Sequence, residues 1–340
     1  MNRLFRWDQM GLFLLALAAG ILPFAVPEVC AAALREGLTL CSGPLLLSLF
    51  PFLVVSRLLI QCPESDLLAL PFRLAAWGIG IRTPCAARVL CIGFLGGFAP
   101  AASAAAQAVR TGQLTAEEAD ALLPACICSG PSFVVLTVGQ SLLGSAELGV
   151  LLFASQITAN YLTAALLNRF AGMHSVKLGS AAPASPAPPR LDEILADAAI
   201  TYCKLCGFIL FFRMLAAGAG ALLPAGAGTL CSILLEVCSG CDLASRTGRW
   251  GSLLCCAALS VQGLSVLLQV RTICPPEMTL RPLYRARMLH LPLSLALFYL
   301  LLPGGEADVF STLPARILLM RRVPPDCALL VFAVCCMAAC

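Results

Sequence analysis

The sequence predicts an all-α, polytopic helical membrane protein with a two-repeat, transporter-like architecture. Three observations predict this fold: the composition, the spacing of the charges and a proline-rich segment near the middle. Of 340 residues, 60% are hydrophobic and 12% are charged, whereas a soluble domain carries about 25% charged residues. So little charge cannot cover a soluble globule, and we expect no soluble domain of any size.

Long stretches of the chain contain no Asp, Glu, Lys or Arg. Most of them approach the ~20 residues that a helix needs to cross the hydrocarbon core of a bilayer. With two shorter apolar stretches, residues 205–212 and 327–340, we expect roughly eight to ten membrane segments. The uncharged runs are residues 9–27, 37–56, 89–109, 121–146, 148–168, 214–235, 250–270 and 288–305.

The basic residues predict the orientation. Arg3 and Arg6 precede the first run, which is read as a signal-anchor helix rather than a cleaved signal peptide because more spans follow it. Residues 57–88 and 271–287 are each richer in Arg than in acids. Cytoplasmic loops of membrane proteins are enriched in Lys and Arg, so both segments should face the cytoplasm.

The tract from Ser180 to Pro189 is rich in Pro, Ala and Ser and predicts a semi-rigid extended linker. The chain therefore divides into a membrane half over residues 1–170, a linker over 171–191 and a second membrane half over 192–340. The triplet Cys-Ser-Gly begins at Cys41, Cys128 and Cys238. In addition, each half contains a short uncharged segment that begins with a glycine and ends with a glutamine, from Gly97 to Gln107 and from Gly263 to Gln269. These matches favour two repeats, an arrangement common in transporters.

The number of membrane crossings before the linker predicts one re-entrant segment in the first half. With a cytoplasmic N-terminus, and if every run crosses, the basic linker would lie outside, against the charge rule. We assign the re-entrant segment to residues 121–146, which are interrupted by Pro124 and by Gly130-Pro131. Irregular backbone at membrane depth needs protein or a water-filled cavity around it, so a cavity is expected near Ser129 to Ser132.

Polar side chains recur at helical spacing within the apolar runs. Ser103 and Gln107 share one face, Gln156 and Asn160 another, and Gln262, Ser265 and Gln269 a third. Such residues serve either as interhelical hydrogen bonds of about 0.6 kcal/mol each or as the lining of a solute path. The path is favoured because the stripes of both halves lie beside Gly and Pro breaks.

The acidic residues are candidates either for functional groups within the membrane or for carboxylates at helix ends and surfaces. Glu236 ends an apolar run, and it is either a functional group at membrane depth or a helix-end carboxylate in the interface. Thr115 and Glu118 have capping-box spacing and predict a short amphipathic surface helix. Glu117, Glu118 and Asp120 are then expected to form a solvated face.

The 19 cysteines lie mostly in apolar runs, where a free Cys packs as a small hydrophobe. Cys203/Cys206 and Cys238/Cys241 have C-x-x-C spacing but no accompanying histidine, so we expect no metal and no cofactor. The sequence contains no phosphate-binding loop and no nucleophile elbow, which disfavours an enzyme and, more strongly, an ATP-driven pump. The small net charge of +4 gives no reason to expect nucleic acid as a partner.

Several motifs, in this order, resemble a known family. They are Phe50-Pro51-Phe52, Gly93 to Phe98, Gly112 to Ala119, Cys128 to Phe133, Leu235 to Gly240 and Ser260 to Gln269. Over roughly residues 40–290 the chain resembles the sporulation integral membrane proteins of the YlbJ type, which contain the nucleoside-recognition, or Gate, domain. The family's pattern after Gly97 has a second glycine and a basic residue, where this chain has Ala101 and Ser103. If that basic residue contacts an anionic solute in relatives, this chain differs from them in affinity or substrate.

The resemblance implies a bacterial protein of the cytoplasmic or forespore membrane that moves a small polar or anionic solute in spore formation, with dipicolinate or a nucleoside-like compound as candidate cargo. The alternative is a non-transporting scaffold for spore-envelope assembly. Expected partners are the lipid bilayer, the solute, and either a second copy of the chain or other spore-envelope membrane proteins. The candidate solute-binding residues are Gly97, Pro100, Ser103, Gln107, Ser129, Gly130, Pro131, Ser132, Glu236, Ser239, Gly240, Gln262, Gly263, Ser265 and Gln269.

Overall fold

The computed structural model describes residues 2–170 and 190–302, and every regular element in these two ranges is a helix. The proposed linker segment 171–189 and the apolar stretch 327–340 lie outside the described residues. The first range contains α1 Asn2–Ala25, α2 Pro27–Ser42, α3 Pro44–Gln61, a 3-10 helix Pro63–Asp66, α4 Leu70–Gly78, α5 Pro84–Gly96, α6 Phe98–Arg110, α7 Ala116–Cys126, a π-helix Ser132–Leu142 and α8 Ala146–Phe170. The second contains α9 Leu191–Leu222, α10 Ala225–Leu235, α11 Val237–Ser245, a 3-10 helix Gly248–Trp250, α12 Gly251–Val261, α13 Gly263–Ile273 and α14 Arg281–Leu301.

The described helices are those of a membrane protein, which confirms the predicted fold class. Within the two described ranges, four helical stretches of 35, 25, 32 and 26 residues are long and apolar enough to cross a bilayer: Pro27–Gln61, Ala146–Phe170, Leu191–Leu222 and Gly248–Ile273. Large apolar side chains such as Phe13, Leu17 and Phe24 are exposed on α1. A continuous apolar surface of this kind is stable against lipid but not against water.

One end of the helix bundle is defined by a series of polar contacts, and we call it the linker end. Asn168, near the end of α8, donates to the carbonyl of Ile79 at 2.9 Å and to that of Ala121 at 3.2 Å. Asp197, near the start of α9, pairs with Arg57 at 2.5 Å. Both sides of the linker therefore emerge beside the Arg-rich segment 57–88.

Residues 121–142 cross the bundle, so the predicted location of the re-entrant segment is wrong. Ala121 lies beside Asn168 near one end of α8, whereas a Cβ on Gly139 would lie 2.4 Å from the Cα of Gly149 near the other end. Since α8 is a helix of 25 residues, or about 37 Å, α7 and the π-helix together span its length. The Gly130-Pro131 break interrupts this crossing without reversing it.

The chain instead reverses at Gly97, between α5 and α6. Arg88 near the start of α5 donates to the side chain of Gln113 just beyond α6, at 2.9 Å. Both ends of this first hairpin are therefore at the linker end. A second hairpin is formed by α10 and α11, where a Cβ on Gly240 would lie 2.8 Å from the Cα of Ile233. Its tip is Glu236, which lies midway between Ile233 and Gly240 in the sequence.

The two halves share one order of elements: a re-entrant hairpin, a broken crossing helix and an unbroken long helix. In the first half these are α5–α6, α7 with the π-helix, and α8; in the second they are α10–α11, α12–α13 and α14. The second hairpin begins at the end opposite the linker end, because α9 starts at the linker end and runs for 32 residues. The second set is therefore inverted relative to the first, as in many secondary transporters.

Helix α7 is a buried helix and not the predicted amphipathic surface helix. Its capping box is confirmed, because the Thr115 side chain accepts from the Glu118 N–H and the Glu118 side chain accepts from the Thr115 N–H. Asp120, however, is only 6% exposed. It accepts from the N–H groups of Thr279 at 2.8 Å and Leu280 at 3.1 Å, so it satisfies donors at the start of α14 instead of facing solvent.

Candidate solute site at the helix breaks

Local backbone chemistry produces the four interruptions, which we call the helix breaks: Gly97, residues 127–131, Glu236 and Gln262. Gly97 has φ of 81°, a conformation that glycine adopts readily and other residues rarely. Pro131 directly precedes the π-helix, where a residue without an N–H is tolerated. Gln262 and Gly263 are consecutive residues with positive φ, 62° and 71°, and they separate α12 from α13.

The tip of each hairpin packs on the break of the crossing helix in its own half. A Cβ on Gly97 would lie 2.7 Å from the nitrogen of Gly130. A Cβ on Gly263 would lie 2.9 Å from the nitrogen of Glu236 and 2.9 Å from the carbonyl oxygen of Leu235. Glycine is therefore required at both positions, because any side chain there would push the hairpin tip away from the crossing helix.

A central cavity of about 80 Å³ lies among these breaks. It is lined by residues of both halves, including Gly96, Ser129, Gly130 and Ser132 from the first half and Glu236 and Gln269 from the second. Phe98, at the start of α6, and Ser132, at the start of the π-helix, place two helix N-termini on its wall. Such N-termini carry free N–H groups and partial positive charge, which favour negatively charged or acceptor groups.

Glu236 brings a carboxylate to the same cavity. Its oxygens accept from the N–H groups of Cys238 at 2.8 Å and Ser239 at 2.7 Å, so the side chain caps α11. It is 2% exposed and lies at the hairpin tip in the bundle interior, which excludes the interface reading. The central cavity therefore offers donors from two helix ends and an acceptor from Glu236.

A second cavity, of about 140 Å³, adjoins the first and is basic. Arg57, Arg110 and Lys204 line it, with Asp197 as its acidic residue. Gln269 lines both cavities, is 2% exposed, and donates to the hydroxyl of Ser265 at 2.9 Å. Its buried Oε1 has no hydrogen-bond partner among the described residues, so the residue that the two cavities share retains an unpaired acceptor.

Arg287 lies in the interior of the bundle, although the charge pattern of residues 271–287 predicts a cytoplasmic loop there. It is 9% exposed and donates to the carbonyl of Ile127 at 2.7 Å and to that of Ser260 at 3.4 Å. Asn160 and Gln262 also donate to the Ile127 carbonyl, at 3.3 and 3.2 Å. The spacing of Arg287, His290 and Ser294, all buried on one face of α14, is the helical signal that could have revealed it.

The structure brings together many of the sequence-predicted residues. Ser129, Gly130, Ser132, Glu236 and Gln269 line the central cavity, and Ser103 meets Gln269 in the basic cavity. Gly97, Pro131, Gln262 and Gly263 form the breaks, while Ser265 holds Gln269. Pro100 is buried under Gly96, Ser239 contributes its N–H to Glu236, and Gly240 allows the hairpin to close.

Gln107 is the exception. It is half-exposed on α6, and it lines neither the central nor the basic cavity. The polar face of Gln156 and Asn160 is also used for packing: Gln156 donates to Ser260 at 2.9 Å and Asn160 to the Ile127 carbonyl at 3.3 Å. The amides of both residues therefore form interhelical hydrogen bonds.

Comparisons of the chain with protein-family models, with curated proteins and with solved structures find no match.

Proposed function

We propose that this protein is a membrane transporter or gated pathway for a small polar or anionic solute. The observation that carries the proposal is the convergence of breaks from both halves on one cavity, in whose mainly apolar wall stand the polar side chains of Ser129, Ser132, Glu236 and Gln269. A protein that used its polar residues for packing alone would gain nothing from unwinding helices at membrane depth, because unpaired backbone groups there cost several kcal/mol each.

The lining indicates the chemistry of the solute. The helix N-termini at Phe98 and Ser132 suit a carboxylate, phosphate or other acceptor group of the solute. The Glu236 carboxylate and the free Gln269 Oε1 suit its hydroxyl or amino groups. The basic cavity raises the local concentration of anions at the mouth of the path.

Movement is part of the proposed mechanism. A cavity of about 80 Å³ has room for several water molecules, so admission of a larger solute requires the hairpin tips to separate from the crossing helices. The contacts at Gly97 and Gly263 are the surfaces that would part. The inverted order of elements supports alternating access, in which first one hairpin and then the other opens the site.

The family resemblance supports a role in bacterial spore formation and makes dipicolinate and nucleosides the first compounds to test. The experiment is uptake of radiolabelled dipicolinate, uridine and succinate into proteoliposomes that contain the purified protein. Saturable uptake of at least one compound, absent from protein-free vesicles, is the expected result. A protein that is folded in the vesicles yet moves none of the three at a rate above protein-free vesicles would favour the scaffold alternative.

A further inference from the structure

The contacts of Arg287 point to a role for this residue beyond packing. Ile127 is the C-cap residue, directly after the end of α7, and Ser260 lies in the last turn of α12. The carbonyls at a helix C-terminus have no partner within the helix and carry partial negative charge. Two such ends, one from each half of the chain, therefore converge on a single position in the bundle interior.

In transporters built from broken helices, C-terminal ends and unwound carbonyls are the groups that hold a coupling cation. Here the guanidinium of Arg287 lies at that position, 2.7 Å from the Ile127 oxygen and 3.4 Å from the Ser260 oxygen. Within the described ranges, no carboxylate lies within ion-pair distance of it. Among the described residues, the groups that accept hydrogen bonds from it are these two helix-end carbonyls.

We propose that Arg287 is a built-in cation that takes the place of a bound Na⁺ or K⁺ between the C-termini of α7 and α12. The guanidinium holds the two crossing helices together at their breaks without an exchangeable ion. For a transporter, which is the part of this inference that rests on the proposed function, the consequence is solute movement that does not require an alkali-cation gradient.

The surrounding oxygens make the proposal testable. The amides of Asn160 and Gln262 reach the same Ile127 carbonyl, and their oxygens, Asn160 Oδ1 and Gln262 Oε1, are buried without a hydrogen-bond partner in the described part of the chain. The nitrogens of these amides, and not their oxygens, face that carbonyl, and the Arg287 guanidinium donates to neither amide oxygen. Without the guanidinium, the two carbonyl oxygens would face one position, and rotation of either amide about its last side-chain bond would turn an amide oxygen toward it. Oxygen ligands of this kind suit a hard cation.

The experiment measures thermal unfolding of the purified full-length protein in detergent, in NaCl, KCl or choline chloride at about 0.15 M ionic strength. The variants are Arg287→Lys, which keeps the charge, and Arg287→Gln, which removes it. Arg285→Gln is the matched control, because Arg285 is exposed on the same helix. No solute is needed, so failure of this proposal is distinguishable from failure of the transport proposal.

We expect the melting temperatures of wild type and Arg285→Gln to be the same in all three salts. Arg287→Gln should melt on the order of 5 °C lower in choline chloride and regain part of that loss in NaCl or KCl, whereas Arg287→Lys should lose less. A wild-type protein stabilised by Na⁺ or K⁺ over choline would overturn the proposal, since a separate cation would then be bound. So would an Arg287→Gln variant that is as stable as Arg287→Lys. If Arg287→Gln yields no folded protein, the wild-type salt comparison decides alone.

Discussion

Two buried carboxylates, Glu236 and Asp120, each stabilise the N-terminal end of a helix. Each accepts hydrogen bonds from backbone N–H groups at the start of a helix: Glu236 at α11 and Asp120 at α14. A negative charge is favourable there because helix N-termini carry unpaired donors and partial positive charge. Glu236 also faces the central cavity, whereas Asp120 links α7 to α14 at the linker end.

Replacement of Asp120 tests this structural role. In Asp120→Asn, an NH₂ group would face N–H donors in place of one accepting oxygen. We expect a loss of about 1–3 kcal/mol in the free energy of unfolding, since buried donors are left without a partner. Denaturant unfolding of the purified protein measures it. Glu117→Gln is the control, because Glu117 is exposed on the same helix, and equal stability of the two variants would contradict the capping role.

At the scale of elements, the hairpins depend on glycine where backbone approaches backbone. Gly97 combines positive φ with a neighbouring chain 2.7 Å from the position of a Cβ. Gly112 also has positive φ, but nothing lies within 4 Å of a Cβ there. An alanine at Gly112 would therefore cost backbone strain alone, whereas an alanine at Gly97 would cost the same strain and also a steric clash with the neighbouring chain.

Gly97→Ala should destabilise the protein more than Gly112→Ala does. Strain at positive φ costs about 1 kcal/mol or somewhat more, and we expect at least about 2 kcal/mol beyond that for Gly97→Ala, because the hairpin tip must move away from Gly130. Melting temperatures of both variants in detergent provide the comparison. Similar losses in the two variants would mean that the close approach at the tip contributes little.

The sequence predicted the elements better than their connections. Runs without charge located the membrane helices because solvation in lipid acts on each residue separately. The path of the chain through a break depends on tertiary contacts, such as Arg88 with Gln113, that no local pattern contains. The count of crossings together with the interruptions at Pro124 and Gly130-Pro131 therefore predicts the reversal within residues 121–146, although it occurs at Gly97.

The short sequence matches between the halves also pair elements that are not equivalent. Gly97 is in the hairpin of the first half, but Gly263 is in the crossing helix of the second. Cys128 is in a crossing helix, and Cys238 is in a hairpin. The matched residues recur because hairpin tips and crossing breaks meet face to face and need the same small side chains. The repeat itself is visible only in the order of elements.

On the scale of the whole molecule, the contacts at the linker end predict the orientation. Asn168 and Asp197, on either side of the linker, both contact the Arg-rich segment 57–88. Since Arg-rich loops face the cytoplasm, a cysteine placed in the linker of a variant without native thiols should react with an impermeant maleimide only after the membrane is opened. Labelling of intact cells from outside would contradict this orientation.

If breaks from both halves form one solute site, substitution of Gln269 should reveal it, because this residue lines both cavities. The measurement is the rate of solute uptake per folded molecule in proteoliposomes, for Gln269→Leu beside the control Gln140→Leu, whose glutamine is exposed on the π-helix. We expect Gln269→Leu to lower uptake at least about tenfold, because a polar group of the bound solute would lose one partner. Its stability should change little, since the hydrogen bond that the Gln269 side chain donates stays within α13, and even a bond between membrane helices is worth only about 0.6 kcal/mol. Normal uptake by a Gln269→Leu protein that unfolds more readily than the control would show that this residue serves packing alone and does not line a solute site.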